Sequence, residues 1–465
     1  MKNKAIFWFR RDLRLSDNKA LTLVTKDYKE VVPVFIFDEN ILSKIKLKKD
    51  KRVQIIFSAL LELKEKLIKQ GSDLLILSGD PVEIIPNLAL KLKVEGVYAN
   101  EDYEQYAIRR DKEVKKKLKL KSIDFTSCKD HVIFSGLEVA KKDNTAYRVF
   151  TPYKRQWLRQ VTLLDLKSYK ANLSNLAPKS EIPKSKVSTL SDIGFERTET
   201  FILGENQARK KFTKFLKKID HYKLKRDMIA EDGTSSMSVY LRFGMISTRE
   251  VVRKTIDLQS EGAQTWVSEI IWRDFYHMIL NEFPYVEKGA FKEKYNDIKW
   301  PGSSAHFKKW KEGNTGFPLI DAAMKHFSKT GEMHNRLRMI VASFLVKDLL
   351  VDWKKGEKYF AEKLLDYDMA ANNGGWQWCA STGCDAQPYF RIFNPITQSQ
   401  RFDPEGVFIK EHLPELKNFN AKEVHFPQKC SIQRQKEVGC IVGKNYPSPI
   451  VEHSLQRILA IELFS

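Results

Sequence analysis

Two apolar runs near the amino terminus, AIFWF at residues 5–9 and VVPVFIF at residues 31–37, decide the first part of the fold. Both are too short for a buried helix and rich in β-branched and aromatic residues, so each reads as a buried strand. Leu74–Leu77, Gly96–Ala99 and Ile123–Thr126 repeat that reading, with helical patterns at Val53–Lys69, Glu83–Leu92 and Tyr103–Leu118 between them. Strands alternating with helices predict an α/β domain built on a parallel, Rossmann-like sheet covered on both faces. No GxGxxG follows the first strand, so the usual dinucleotide-phosphate turn is absent. From Lys167 to Thr200 the chain is rich in Lys, Ser and Pro without steady periodicity, which predicts a connector. Beyond Gly204 the signal is helical, at Glu250–Ser260, Ala263–Leu280, Leu319–Phe327, Asn335–Leu350 and Tyr359–Leu365. The expected organisation is an α/β domain over residues 1–130, an interdomain linker over 131–203 and a larger all-helical domain over 204–465, with no internal repeat.

Composition narrows the function classes. The 465 residues exceed the size of a single core, and with 42% hydrophobic residues the chain is not disordered. No uncharged apolar run reaches membrane length, and the start MKNKAIFWFRRDLRLSD lacks a secretory core and cleavage site. A cytoplasmic protein without a membrane partner is expected. Five cysteines are scattered, and no Cys/His cluster completes a metal set, so free thiols and no bound metal are expected. A formal net charge of +21 favours a polyanionic partner, although a Lys-rich composition accounts for the same number.

Four clusters in the helical half carry chemistry. Gly233-Thr234-Ser235-Ser236-Met237-Ser238 packs hydroxyls and backbone N–H groups densely enough to cradle phosphates, and it serves equally as a helix cap. In the run from Trp266 to Tyr276, Glu269, Trp272, Arg273 and Tyr276 fall at i, i+3, i+4 and i+7, which places an acid, an indole, a guanidinium and a phenol on one helix face. Met333-His334-Asn335-Arg336-Leu337-Arg338-Met339 opens a nearly all-apolar helix, so Arg338 and Asn335 need partners, with Asp366 and Asp368 as candidates. Residues 366–395, DYDMAANNGGWQWCASTGCDAQPYFRIFNP, gather two carboxylates, an Asn pair, a Gly pair and two indoles. Carboxylates and amides of this kind bind cofactor hydroxyls and ring nitrogens. A metal at Asp366 and Asp368 lacks a completing set of ligands.

Together these clusters resemble the photolyase/cryptochrome family of flavoproteins, and within it the class I cyclobutane pyrimidine dimer enzymes. The resemblance runs from FWFRRDLRLSDNKAL at Phe7–Leu21 through TSSMS, SEIIWRDFY, GFPLIDAAM, HNRLRM, DYDMAANNGGWQW and FRIFNP to NYPSPIVEH at Asn445–His453. It implies an antenna-type α/β domain and a helical domain binding FAD. The flavin contacts it implies are Tyr222, Thr234, Ser235, Ser236, Met237, Ser238, Trp266, Arg338, Asp366 and Asp368, with Asn372 beside the flavin N5. Glu269, Trp272, Met339 and Asn372 take the catalytic positions, and Trp376, Trp353 and Trp300 the electron-transfer chain. Arg226, Glu269, Trp272, Arg273, Tyr276, Asn335, Arg336 and Gln398 fall at DNA-contact positions. The implied activity is light-driven splitting of cyclobutane dimers in UV-damaged DNA by an electron from excited reduced FAD.

Relatives that repair (6-4) lesions, and animal cryptochromes, carry His where this chain has Asn335, and signalling members commonly replace Asn372. The alternatives, a photoreceptor without repair or a (6-4) enzyme, are therefore disfavoured, as they are by the absence of a long tail after NYPSPIVEH. Tyr106-Ala107 and Val286-Glu287 replace the pairs that hold folate in bacterial relatives. This argues against folate and leaves a deazaflavin, a second flavin or an empty antenna site open. No protein partner is implied, and a monomer is expected.

Overall fold

The structure, a computed structural model, describes residues 1–465. The chain forms two compact units, residues 1–220 with 235–284 and residues 221–234 with 285–465. In the first, β1 (Lys2–Phe9), β2 (Tyr28–Asp38), β3 (Leu75–Gly79), β4 (Gly96–Asn100) and β5 (Asp124–Cys128) form one parallel sheet in the order β3-β2-β1-β4-β5. Every strand read from the sequence falls on one of these five. Ile6, Trp8, Val32, Val34, Ile36, Val97 and Ala99 supply much of a buried core beneath the helices Lys51–Lys69, Pro81–Lys91 and Gln105–Lys119. Pro33 sits inside β2, where a missing N–H is normally disfavoured. It is tolerated because β3 pairs with β2 only from Val34 onward.

The Lys167–Thr200 connector has no α-helix, yet it does not hang free. Ala177 donates to the Val31 carbonyl at 2.7 Å, and the N–H groups of Lys186 and Val187 reach Ile76 on the edge strand β3. The connector thereby covers a row of backbone groups that an open sheet edge would expose. The helix Lys19–Asp27 lay outside the sequence reading. Asn18 caps it by accepting from Leu21 N, and Asn18 is held in turn by Asp12 and Asn100. The conspicuous FRRDLRLSDN run is thus a folding element.

A buried charge network ties the sheet to the helix Thr248–Arg253. Asp130, just after β5, accepts from Arg14 and from Arg249, and both guanidiniums also donate to the Asp17 carbonyl, at 2.8 and 2.7 Å. Arg253 reaches Asp17 Oδ2 at 3.1 Å. Burial pushes the Asp130 carboxyl up, but Arg14 and Arg249 outweigh it and hold the group well below the usual carboxylate range.

The second unit is helical. Ser304–Glu312, Pro318–Thr330, Asn335–Ser343, Trp353–Lys363, Met369–Cys379 and His453–Phe464 pack around Trp310, Phe317, Phe327, Phe360 and Trp376. Two helix expectations need correction. The α-helix expected over Asn335–Leu350 ends at Ser343 and continues as a π turn over Phe344–Asp348. The one expected over Glu250–Ser260 runs from Thr248 to Arg253 only. No helix is long and apolar enough to cross a membrane. Asp130→Asn should cost about 3–5 kcal/mol, because it leaves two buried guanidiniums without their shared anion. Chemical denaturation checks this, and a loss under 1 kcal/mol, the surface-pair range, would contradict the assignment.

Candidate functional site

The site residues begin with the turn Gly233–Ser238, of which Gly233 and Thr234 belong to the second unit and Ser235–Ser238 to the first. Ser236 adopts φ +51, and Ser235 Oγ accepts from Met237 N at 3.3 Å, so the run is a tight polar turn before the short helix Ser238–Arg242. The helix Glu261–Glu282 carries the next group, capped at Ser260. Trp266 is buried against Phe215, with ring centroids 4.8 Å apart. Glu269, Trp272, Arg273 and Tyr276 remain half-buried on the expected face. Phe150 stacks on Trp272 at 3.6 Å and 9°, and Tyr276 lies 5.3 Å from the same indole. Phe150 therefore fixes the indole plane, a role that no signal near residue 150 announces. Arg273 donates to the His131 carbonyl at 2.6 Å.

The helix is anchored from beneath by Asp274. Its carboxylate accepts from Trp157 Nε1 at 3.0 Å and from the N–H groups of Ile133 and Phe134. Burial raises this carboxyl to about 6 despite those donors.

On the second unit, Arg338 Nη2 donates to Asp366 Oδ2 at 2.8 Å, so Asp366 is the one of the two candidate partners that it takes. Asp366 Oδ1 is buried with no hydrogen-bond partner. Asp368 instead caps the helix Met369–Cys379, accepting from Ala371 N at 3.3 Å. Asn372, on that helix, donates its amide to Glu357 twice, to Oε1 at 2.8 Å and to the backbone carbonyl at 3.2 Å. Burial pushes the Glu357 carboxyl up, and the Asn372 bond holds it down in part. Glu357 was missed from sequence because a lone Glu on an amphipathic helix carries no signature.

A basic group completes this unit. Asp227 lies between Arg226 and Arg336, and Arg336 also covers the Phe402 ring at 4.4 Å. Arg226 sits 5.3 Å over Tyr222. Asn335 is exposed, Met339 is half-buried, and Gln398 Oε1 is buried without a partner. Among the tryptophans, Trp376 and Trp353 are buried at 3% exposure each, while Trp300 is partly exposed against Phe464. Gly356 allows Trp376 its place: a Cβ there would lie 2.2 Å from Trp376 Cη2 and 2.5 Å from Leu345.

The family profile described as DNA photolyase matches residues 5–174, and the one described as FAD binding domain of DNA photolyase matches residues 266–465. The deoxyribodipyrimidine photo-lyase of Alkalihalophilus pseudofirmus is 36% identical over 467 residues, covering 98% of this chain and 97% of its own length. The chain belongs to the DNA photolyase family. A crystal structure of a class III photolyase from Agrobacterium tumefaciens superposes with a TM-score of 0.92 at 33% identity, covering 100% of this chain and 97% of its own. The cryptochrome of Synechocystis sp. PCC6803 superposes with a TM-score of 0.90 at 25% identity, covering 100% and 99%.

FAD is the cofactor of this family's binding domain, and the residues here fit it. Asp366 Oδ1 is an unmet buried acceptor suited to a ligand hydroxyl or N–H, and Arg338 holds its partner oxygen. The switch-point crevice of the sheet, between the carboxyl ends of β1 and β4, is the usual ligand position in such folds. Here Arg10 binds the Asn100 carbonyl and Asp111 while Arg11 binds Asp102, which leaves a cavity of about 10 Å³. Gly356→Ala should displace the Trp376 indole and cost about 1–3 kcal/mol by overpacking. Near-ultraviolet circular dichroism and thermal melting check this, and an unchanged spectrum with unchanged stability would contradict it.

Proposed function

We propose that this photolyase splits cyclobutane pyrimidine dimers in UV-damaged DNA under blue light. The observation that carries the reading is the Asn372–Glu357 pair. Both amide hydrogens of Asn372 are spent on Glu357, so its Oδ1 is left as an acceptor. An acceptor suits a flavin that carries hydrogen at N5, the reduced form, over an oxidised ring that offers only a lone pair there. Bound and reduced, FAD supplies one electron to the dimer on light absorption and recovers it once the ring has opened. The protein's part is to orient, to shield and to stabilise charge.

Tyr222, Thr234, Ser235, Ser236, Met237, Ser238, Trp266, Arg338, Asp366 and Asp368 hold the cofactor in this reading. Glu269 bonds the dimer's base edge and steadies the charge that develops on it. Trp272, its plane fixed by Phe150, offers a stacking face to a base turned out of the duplex, with Tyr276 and Met339 lining the lesion. A dimer pairs and stacks badly, so turning it out costs less than for an intact step. Arg226, Arg273, Asn335, Arg336 and Gln398 serve the DNA, Arg273 with part of its guanidinium committed to His131. The protein acts as a cytoplasmic monomer.

A dimer-containing oligonucleotide and a (6-4)-containing one, each illuminated with pre-reduced protein, test the reading. Restoration of the dimer alone supports it; restoration of the (6-4) lesion alone, or of neither, overturns it. Trp376→Phe should abolish photoreduction of the oxidised cofactor while pre-reduced protein still repairs; loss of repair in pre-reduced protein would contradict that division. Trp272→Ala should weaken binding to damaged DNA by about 1–3 kcal/mol, the worth of one stacked base. Unchanged affinity, measured by fluorescence anisotropy, would remove Trp272 from the lesion pocket.

A further inference from the structure

Trp376 has a second oxidisable neighbour that the chain through Trp353 and Trp300 does not use. Trp310, on the helix Ser304–Glu312, lies 6.2 Å from Trp376 between ring centroids, at 72°. Trp310 is fully buried and donates its indole N–H to the Val341 carbonyl at 3.1 Å. The Tyr359 ring follows, 5.9 Å from Trp310. Its helix, Trp353–Lys363, also supplies Phe360, whose ring stands 5.0 Å from Trp376 and 6.2 Å from Trp310. Tyr359 is 9% exposed, and its phenol faces the hydroxyl of Ser328, an exposed residue on the helix Pro318–Thr330.

We propose that Trp310 and Tyr359 form a second electron-supply branch into Trp376, ending in a tyrosyl radical. The inference rests on the reading that Trp376 is the donor next to the flavin. When Trp376 has lost an electron, Trp310 replaces it, and Tyr359 replaces the electron lost by Trp310. The phenolic proton leaves through Ser328 to water. In sum Tyr359 gives up one electron and one proton, and both indoles end as they began.

Three features favour this direction. An indole radical cation is a stronger N–H donor than neutral indole, and Trp310 already has the Val341 carbonyl to receive that bond. Phenol oxidation needs an exit for the proton, and Tyr359 alone among these rings has a hydroxyl beside an exposed polar group. Lys311 Nζ stands 5.8 Å over the Tyr359 ring, so a cationic radical there is repelled while a neutral radical that has shed its proton is not. Packing accounts for Trp310 against Phe307 and Phe360, but it does not call for a hydroxyl on residue 359.

The test uses full-length protein carrying oxidised FAD and reads radicals by electron paramagnetic resonance. With the first chain interrupted by Trp353→Phe, illumination should still yield a tyrosyl signal, narrowed by ring-deuterated tyrosine. Adding Tyr359→Phe, which removes one hydroxyl, should abolish that signal. Where Trp353→Phe lowers stability, Trp300→Phe at a partly exposed position interrupts the same chain. No tyrosyl radical in the single variant, or one that survives Tyr359→Phe, overturns the branch. A wild-type protein that forms no radical at all would instead overturn the reading of Trp376 on which the branch rests.

Discussion

Asp130, buried between Arg14 and Arg249, is the constraint on which the first unit depends. The sheet alone could end at β5, and the chain beyond Thr248 has no backbone pairing to it. A carboxylate shared by two guanidiniums, each also tied to Asp17, makes the strand ends and the helix Thr248–Arg253 one electrostatic object. Such a network costs desolvation and returns little net stability over apolar packing, but it fixes geometry because any other arrangement strands a charge. The helix Glu261–Glu282 inherits that fixed start, and Asp274 repeats the device further along it. Glu269 and Trp272 therefore stand on a rigid support, which the stacking of a flipped base proposed for them would require.

On the second unit the same logic is applied to amides and rings. Asn372 is oriented by Glu357, and Arg338 by Asp366 and the Met333 carbonyl. Trp376 is held by steric exclusion: Gly356 is the gap in which its indole sits. The electron-transfer role proposed for Trp376 and Trp310 needs constant ring contacts, and a core of Trp310, Phe360 and Trp376 at edge and stacked angles supplies them.

The sheet was legible because buried parallel strands read as apolar runs, as β1 to β4 do, while β5, the half-exposed edge strand DFTSC, was marked only by its place after a helix. The helix Lys19–Asp27 was not, since KALTLVTKD passes directly into Tyr28 and β2 without a stop signal. The end of the helix after Asn335 was equally hidden, because a π turn changes the hydrogen-bond spacing without changing the apolar pattern. In the site, Asp366 was one of two candidate partners for Arg338, and the choice between them, like the 32% exposure of the Arg338 side chain, is read only from the fold. Glu357 and Phe150 did not follow from anything local, as each acts on a residue that is remote in sequence, Glu357 on Asn372 and Phe150 on Trp272. Family motifs name the groups that touch a ligand, and the side chains that hold those groups in place are read only from the fold.

In the proposed repair the electron lent to the dimer returns, so the reaction consumes light and no reductant. Counting dimers repaired per molecule of pre-reduced protein, under blue light with no reductant added and with the flavin spectrum followed, tests this most directly. Many dimers should be repaired per flavin with the cofactor still reduced at the end, and none in the dark. One repair per flavin with matching oxidation, or repair without light, would contradict it.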